Sequence, residues 1–191
     1  MERAEAVTRL LDTAEALFYE RGVQAVGMDE IRGVSGVSLK RLYQCFPAKE
    51  ELVVAYLRRR DQRWRESLTG FVRDRDDPDP ARRPLLVFDW LYAWFSEPGF
   101  RGCAFINSFG ELGATSAEIA VVAREHKDAL KQYLVELVGE AGVKGAESVA
   151  EQLLLLIDGA ITSAAIVGNP DAARHARTAA ATLLASVRER A

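Results

Sequence analysis

The stretch Gly36-Val37-Ser38-Leu39-Lys40-Arg41-Leu42-Tyr43-Gln44-Cys45-Phe46-Pro47 decides how this chain folds at its start. Gly36 tolerates the positive φ that a tight turn between two helices demands. Ser38 is a plausible N-cap, and a short helix runs on from it to Gln44. Upstream, Met28 to about Val34 makes another short helix. Further upstream, Ala6, Leu10, Leu11, Ala14, Leu17 and Phe18 recur at helical spacing between Arg3 and Arg21, and Gly22 supplies the stop. A supporting helix, a short helix, a glycine turn and a second short helix form the helix-turn-helix layout. In it the second helix enters the major groove of DNA and the first braces it. Ile31, Val37, Leu42, Phe46 and Leu52 are expected to close this small core against Leu17 and Phe18.

The exposed side of the second short helix offers Leu39, Lys40, Arg41 and Gln44, with Ser38 at its start. Lysine and arginine pair with guanine edges or phosphates, and glutamine pairs with adenine. Tyr43 and Lys49 suit phosphate contacts, which set register without reading sequence. The free N–H groups that follow Pro47 are a further place for a phosphate. The plainer alternatives are that Lys40 and Arg41 are ordinary solvated charges and that Tyr43 is a core residue. Cys45 reads as packing, since no resolving cysteine lies near it.

Beyond the turn, every long segment carries helical periodicity and none alternates as a strand does. Pro47 is expected to open a long helix reaching about Val72, and the charged, proline-broken run Arg73 to Pro80 a loop. Helices then follow over Leu85–Phe95, Cys103–Leu112, Ser116–Gly139 and Glu147–Val167. A last one starts at Asn169-Pro170 and ends near Arg190. The expectation is an all-α protein of about nine helices. A DNA-binding head over residues 1–50 would join a helical effector-binding and dimerisation body over 51–191.

Apolar residues make up 49% of the 191, enough for a substantial core. The net charge of −3 hides a mild asymmetry: residues 1–60 hold ten Lys/Arg against nine Asp/Glu, and the rest fifteen against nineteen. Two cysteines make no disulfide framework, and two histidines make a metal site improbable, so neither metal nor cofactor is expected. The apolar windows Leu85–Phe95 and Leu153–Val167 are interrupted by Asp89, Asp158, Gly159 and Thr162, so no membrane span is expected and the cytoplasm is the expected location. Cys103, Glu111 and His126 are not spaced as nucleophile and base. Neither a Gly-x-Ser-x-Gly elbow nor a His-Glu-x-x-His pair occurs, so an enzyme is not expected.

Leu11-Asp-Thr-Ala-Glu-Ala-Leu-Phe-Tyr-Glu-Arg-Gly22, followed by Gly36 through Lys49-Glu50-Glu51-Leu52, resembles the TetR family of repressors. The resemblance is close over the first quarter of the chain, and beyond it only helical layout and length agree. It departs at Gly27, where the family usually has a capping Ser or Thr, and at Arg32 and Val34, where it favours small residues. It also departs at Lys40 and Arg41, where Gly and Thr are common.

The body holds an aromatic concentration around Phe88, Trp90, Trp94 and Phe105, with Asn107 and Glu111 among the polar groups. An apolar enclosure with a few polar groups is what a small-molecule site requires, and a plain aromatic core is the alternative. The resemblance implies an effector cavity here, and a two-fold dimer built from the last two helices through Leu153, Ile157, Ile161, Leu183 and Val187. The expected function is that of a homodimeric transcriptional regulator on double-stranded operator DNA. It would be a repressor released from a palindrome by a small, mostly apolar effector. The alternatives are a ligand-independent DNA-binding protein, or a carrier or enzyme with a vestigial head.

Overall fold

Ala6, Leu10, Ala14 and Phe18 fall four residues apart, one stripe of a helix, and all four are buried along the first element. Similar stripes recur down the chain. The computed structural model describes residues 1–188, and among them the regular elements are nine helices: α1 (Arg3–Arg21), α2 (Met28–Ser35), α3 (Leu39–Cys45), α4 (Lys49–Arg75), α5 (Arg83–Phe95), α6 (Ala104–Leu112), α7 (Ala117–Glu140), α8 (Ala146–Val167) and α9 (Ala172–Arg188). The expected end near Arg190 lies outside the described residues.

The chain divides into two compact units. The first joins residues Met1–Arg63 to Ala104–His126, and the second joins Trp64–Cys103 to the chain from Lys127 onward. This cut differs from the expected division at residue 50. It leaves the first turns of α4, the whole of α6 and the start of α7 with the head.

In the first unit α1 packs on α2 and α3. Ile31, Val37, Leu42, Phe46 and Leu52 are buried as expected, beside Leu10, Val26 and Leu57. Leu17 is only half-buried, because the inward stripe of α1 passes through Ala14 and Phe18 instead. α4 begins at Lys49, not at Pro47. The residue before a proline is pushed out of the helical region, and Phe46 is extended at φ −137°, ψ 94°, so the chain needs Pro47 and Ala48 to turn before helix can start.

In the second unit α8 packs on α9, and both pack on α5. Alanines 160, 164, 173, 176 and 180 are buried there, and small side chains let helices approach closely. α4 runs to Arg75, past the expected loop start at Arg73. Two arginines suit the negative end of the helix, and the Arg75 guanidinium lies 4.5 Å from the centre of the Phe71 ring. Among the described residues α8 alone is long and apolar enough to cross a membrane by length and composition. Its Leu153, Ile157 and Ile161 are buried within the chain.

Candidate nucleic-acid interface

The turn and its second helix are made by local backbone chemistry. Gly36 ends α2 in the left-handed region at φ 67°, and its N–H donates to the Arg32 carbonyl. Ser38 caps α3, its hydroxyl accepting from the Arg41 N–H at 3.4 Å. Gly27 precedes α2 without any side-chain cap, as the departure from the family pattern implies. Leu42 and Cys45 bury the inner face of α3. Its outer face carries Ser38, Leu39, Lys40, Tyr43 and Gln44, all exposed. Arg41 is half-buried and donates to the Met1 carbonyl at 3.3 Å. Six of the seven expected DNA-contacting residues therefore sit on one short helix and its cap.

The seventh, Lys49, opens α4 and is held more closely than its sequence position suggests. Its amino group lies 5.9 Å from the centre of the Phe18 ring. Burial pulls its pKa below the usual lysine value, and the negative charge of Glu111 opposes that shift.

Sequence reasoning missed the polar network that carries this head. Glu15 on α1 receives Arg59 at 2.7 Å, Arg60 at 3.3 Å and Arg63 at 3.1 Å, all from α4. His126 is buried, stacks on Phe105 with ring centres 3.8 Å apart, and shares a hydrogen bond of 2.7 Å with Asp61. Partners 44 to 65 residues apart leave no periodic signal that could have exposed them.

The expected effector residues fall into two groups. Phe88, Trp90 and Trp94 belong to the second unit, whereas Phe105, Asn107 and Glu111 lie on α6 in the first. Trp90 packs edge-on against Trp64 at 4.8 Å, stacks on Trp94 at 5.4 Å, and donates its indole N–H to Ser67 at 3.1 Å. Glu111 instead accepts backbone N–H groups of the turn after α1. Two open cavities do occur in the second unit, of about 300 and 340 Å3, where α4 and α7 flank Thr69 and Tyr133.

The expected dimer residues differ in exposure. Leu153, Ile157 and Ile161 are at most 2% exposed and belong to the chain's own core. The opposite side of α8 carries Leu155 and Ile166, 72% and 80% exposed, and on α9 Leu183 and Val187 are half-buried. Among the described residues no group of three His, Cys, Asp or Glu is placed to hold a metal.

A bracing helix, a left-handed glycine turn and a capped second helix with a polar outer face define a helix-turn-helix DNA-binding regulator. Known proteins make the class particular. Residues 10–56 match the model of bacterial regulatory proteins, tetR family. An uncharacterized HTH-type transcriptional regulator of Mycobacterium tuberculosis is 31% identical over 59% of this chain and 67% of its own. The HTH-type transcriptional activator FasR of Mycolicibacterium smegmatis is 29% identical, over 68% of this chain and 59% of its own. The crystal structure of a TetR-family transcriptional regulator from Streptomyces coelicolor superposes with a TM-score of 0.86 at 27% identity, covering 96% of both chains. The chain belongs to the TetR family, and it is a DNA-binding transcriptional regulator.

Proposed function

We propose that α3 reads the major groove of a palindromic operator, with Lys40, Arg41 and Gln44 as base readers and Ser38, Leu39, Tyr43 and Lys49 positioning the backbone. The observation that carries this is the division of α3 into a buried face, Leu42 and Cys45, and an exposed face with Leu39, Lys40, Tyr43 and Gln44 next to its cap Ser38. Two heads are needed to select a palindrome. The exposed row of α8, Gln152, Leu155, Gly159, Thr162 and Ile166, with Leu183 and Val187 of α9, supplies the surface on which two copies pair.

A small effector is proposed to release the DNA, by favouring a head spacing that misfits the operator. Its seat is the pair of cavities at Thr69 and Tyr133. Leu68, Val72, Leu130 and Leu137 give them an apolar wall, and Arg65, Arg73, Arg83, Glu136 and Glu140 a charged edge. The ligand class this fits is amphipathic rather than purely apolar. Repression is the outcome carried forward from the family; the cytoplasm is the proposed location, and no catalytic step is proposed. FasR is named an activator, so a reporter gene fused to the selected operator decides the sign.

Selection of bound duplexes from random DNA, with mobility shifts at physiological salt, tests the reading. Alanine at Arg41 or Gln44 is expected to cost about 1–3 kcal/mol at one base pair and to relax preference there. If Lys40, Arg41 and Gln44 are truncated together and base preference persists, α3 is not the reading helix.

A further inference from the structure

The carboxylate of Glu111, near the end of α6, accepts the N–H of Val23 at 3.1 Å and that of Gln24 at 2.6 Å. These two groups lie between α1 and α2, where no helix serves them. The favour is returned: the Gln24 side-chain amide donates at 2.6 Å to the Glu111 carbonyl, one of the carbonyls that the end of α6 leaves without a helical partner. The approach depends on Gly22. A Cβ there would stand 3.0 Å from one Glu111 carboxylate oxygen and 3.2 Å from the other, at a φ of +89° that side chains rarely adopt. At the other end of the same corner, Ser116 donates to the Glu50 carboxylate in the first turn of α4, while its oxygen accepts the Ile119 N–H at 3.2 Å and caps α7.

Residues 22–24 stand just before α2 and Glu50 just after α3, so the entry and exit of the helix-turn-helix are both gripped by the corner from Glu111 to Ser116. We propose that Glu111 is a positioning residue for DNA recognition: by pinning the turn before α2, it sets how the reading helix stands on its support. Two charge-assisted bonds to fixed backbone groups are directional, which suits orientation more than cohesion. This inference rests on the reading of α3 as the DNA-contacting helix.

The test compares affinity for a palindromic duplex, selected from random DNA by the wild-type protein, with affinity for a random-sequence duplex. Glu111→Asp keeps the charge but withdraws the carboxylate by one methylene. Gln24→Ala removes the return bond from an exposed position and leaves the charge unaltered. Glu111→Ala is expected to weaken selected-duplex binding about tenfold, and the other two several-fold, with random-duplex binding changed less than about twofold in the charge-preserving pair. Amide exchange at Val23 and Gln24 should quicken while α3 stays protected. A residue that only held the fold would lower both affinities together. An unchanged ratio in Glu111→Asp and Gln24→Ala, whether both affinities fall or neither does, overturns the inference. If Glu111→Ala fails to fold, those two variants decide alone. Failure of the wild-type protein to enrich any duplex overturns the reading of α3 instead, and is told apart by that first step.

Discussion

Each compact unit has an apolar core and long-range ion pairs of its own, but the polar contacts of the first are the more deeply buried. In the first, long-range hydrogen bonds and ion pairs join helices far apart in sequence: Glu15 with Arg59, Arg60 and Arg63, Asp61 with His126, and Glu111 with the turn before α2. In the second, Trp64, Trp90 and Trp94 make an aromatic cluster whose Trp94 also meets Phe100 edge-on, alanines of α8 and α9 are buried, and the pairs Arg83–Glu140, Lys131–Glu151 and Arg177–Asp89 lie nearer the surface. Hydrophobic burial is strong and without direction, whereas a carboxylate on a guanidinium or an N–H fixes an angle. A part that must present one helix to a groove gains from the second kind. A part proposed to pair with a copy of itself and to yield to a ligand can rest more on the first.

Two residues on α8, two positions apart, test that contrast most severely. Ile157 is wholly buried and Leu155 is 72% exposed. Ile157→Asp places an unpaired carboxylate in an apolar core, an effect of about 3–5 kcal/mol against a typical total stability of about 5–15 kcal/mol. The second unit is expected to lose its cooperative melting transition by circular dichroism. Leu155→Asp should leave that transition in place and shift light scattering from dimer to monomer at micromolar concentration. A folded, dimeric Leu155→Asp protein would remove this face from the dimer reading.

The same helix shows where sequence reasoning reaches its limit. Gln152-Leu-Leu-Leu-Leu-Ile157 is apolar at five successive positions, so no stripe distinguishes the core face from a partner face. The residues expected there, Leu153, Ile157 and Ile161, are on the side buried in the chain itself. Gly22, Gly36 and Ser38 were legible because a stop, a left-handed turn and a cap each demand a particular backbone or side chain, and the structure places all three in those roles. Helix positions were legible from periodicity. The bonds of Glu111 were not legible, because aromatics surround it in sequence while its partners lie 87 and 88 residues away. Nothing local records such a contact.

A smaller effect probes the polar unit. Ser38→Ala deletes the cap of α3 and is expected to cost about 1 kcal/mol. The bond is long, 3.4 Å, so the lower half of the usual range is the natural expectation. Amide exchange should rise first at Arg41, whose N–H loses its acceptor, before any change in the second unit. If the α8 and α9 amides respond equally, the two units melt as one, and the contrast between them does not extend to stability.

The smallest expected effect is a titration. Tyr133, on α7 beside both cavities, has its pKa pushed up to about 12 by burial first, then by the charges of Glu140 and Glu136. A free phenol ionises near pH 10. Because the folded value is raised, the phenol's contribution to stability is fully present below about pH 10 and is lost as pH rises through about 12. The chain has five tyrosines, so the measurement is a difference: phenolate absorbance of the wild-type protein against Tyr133→Phe, which should remove a late-titrating step. Glu140→Gln should bring that step to lower pH without abolishing it, since burial is the larger cause. A Tyr133 step near pH 10 would mean that water reaches the phenol freely, and that this edge of the second unit is looser than its apolar packing implies.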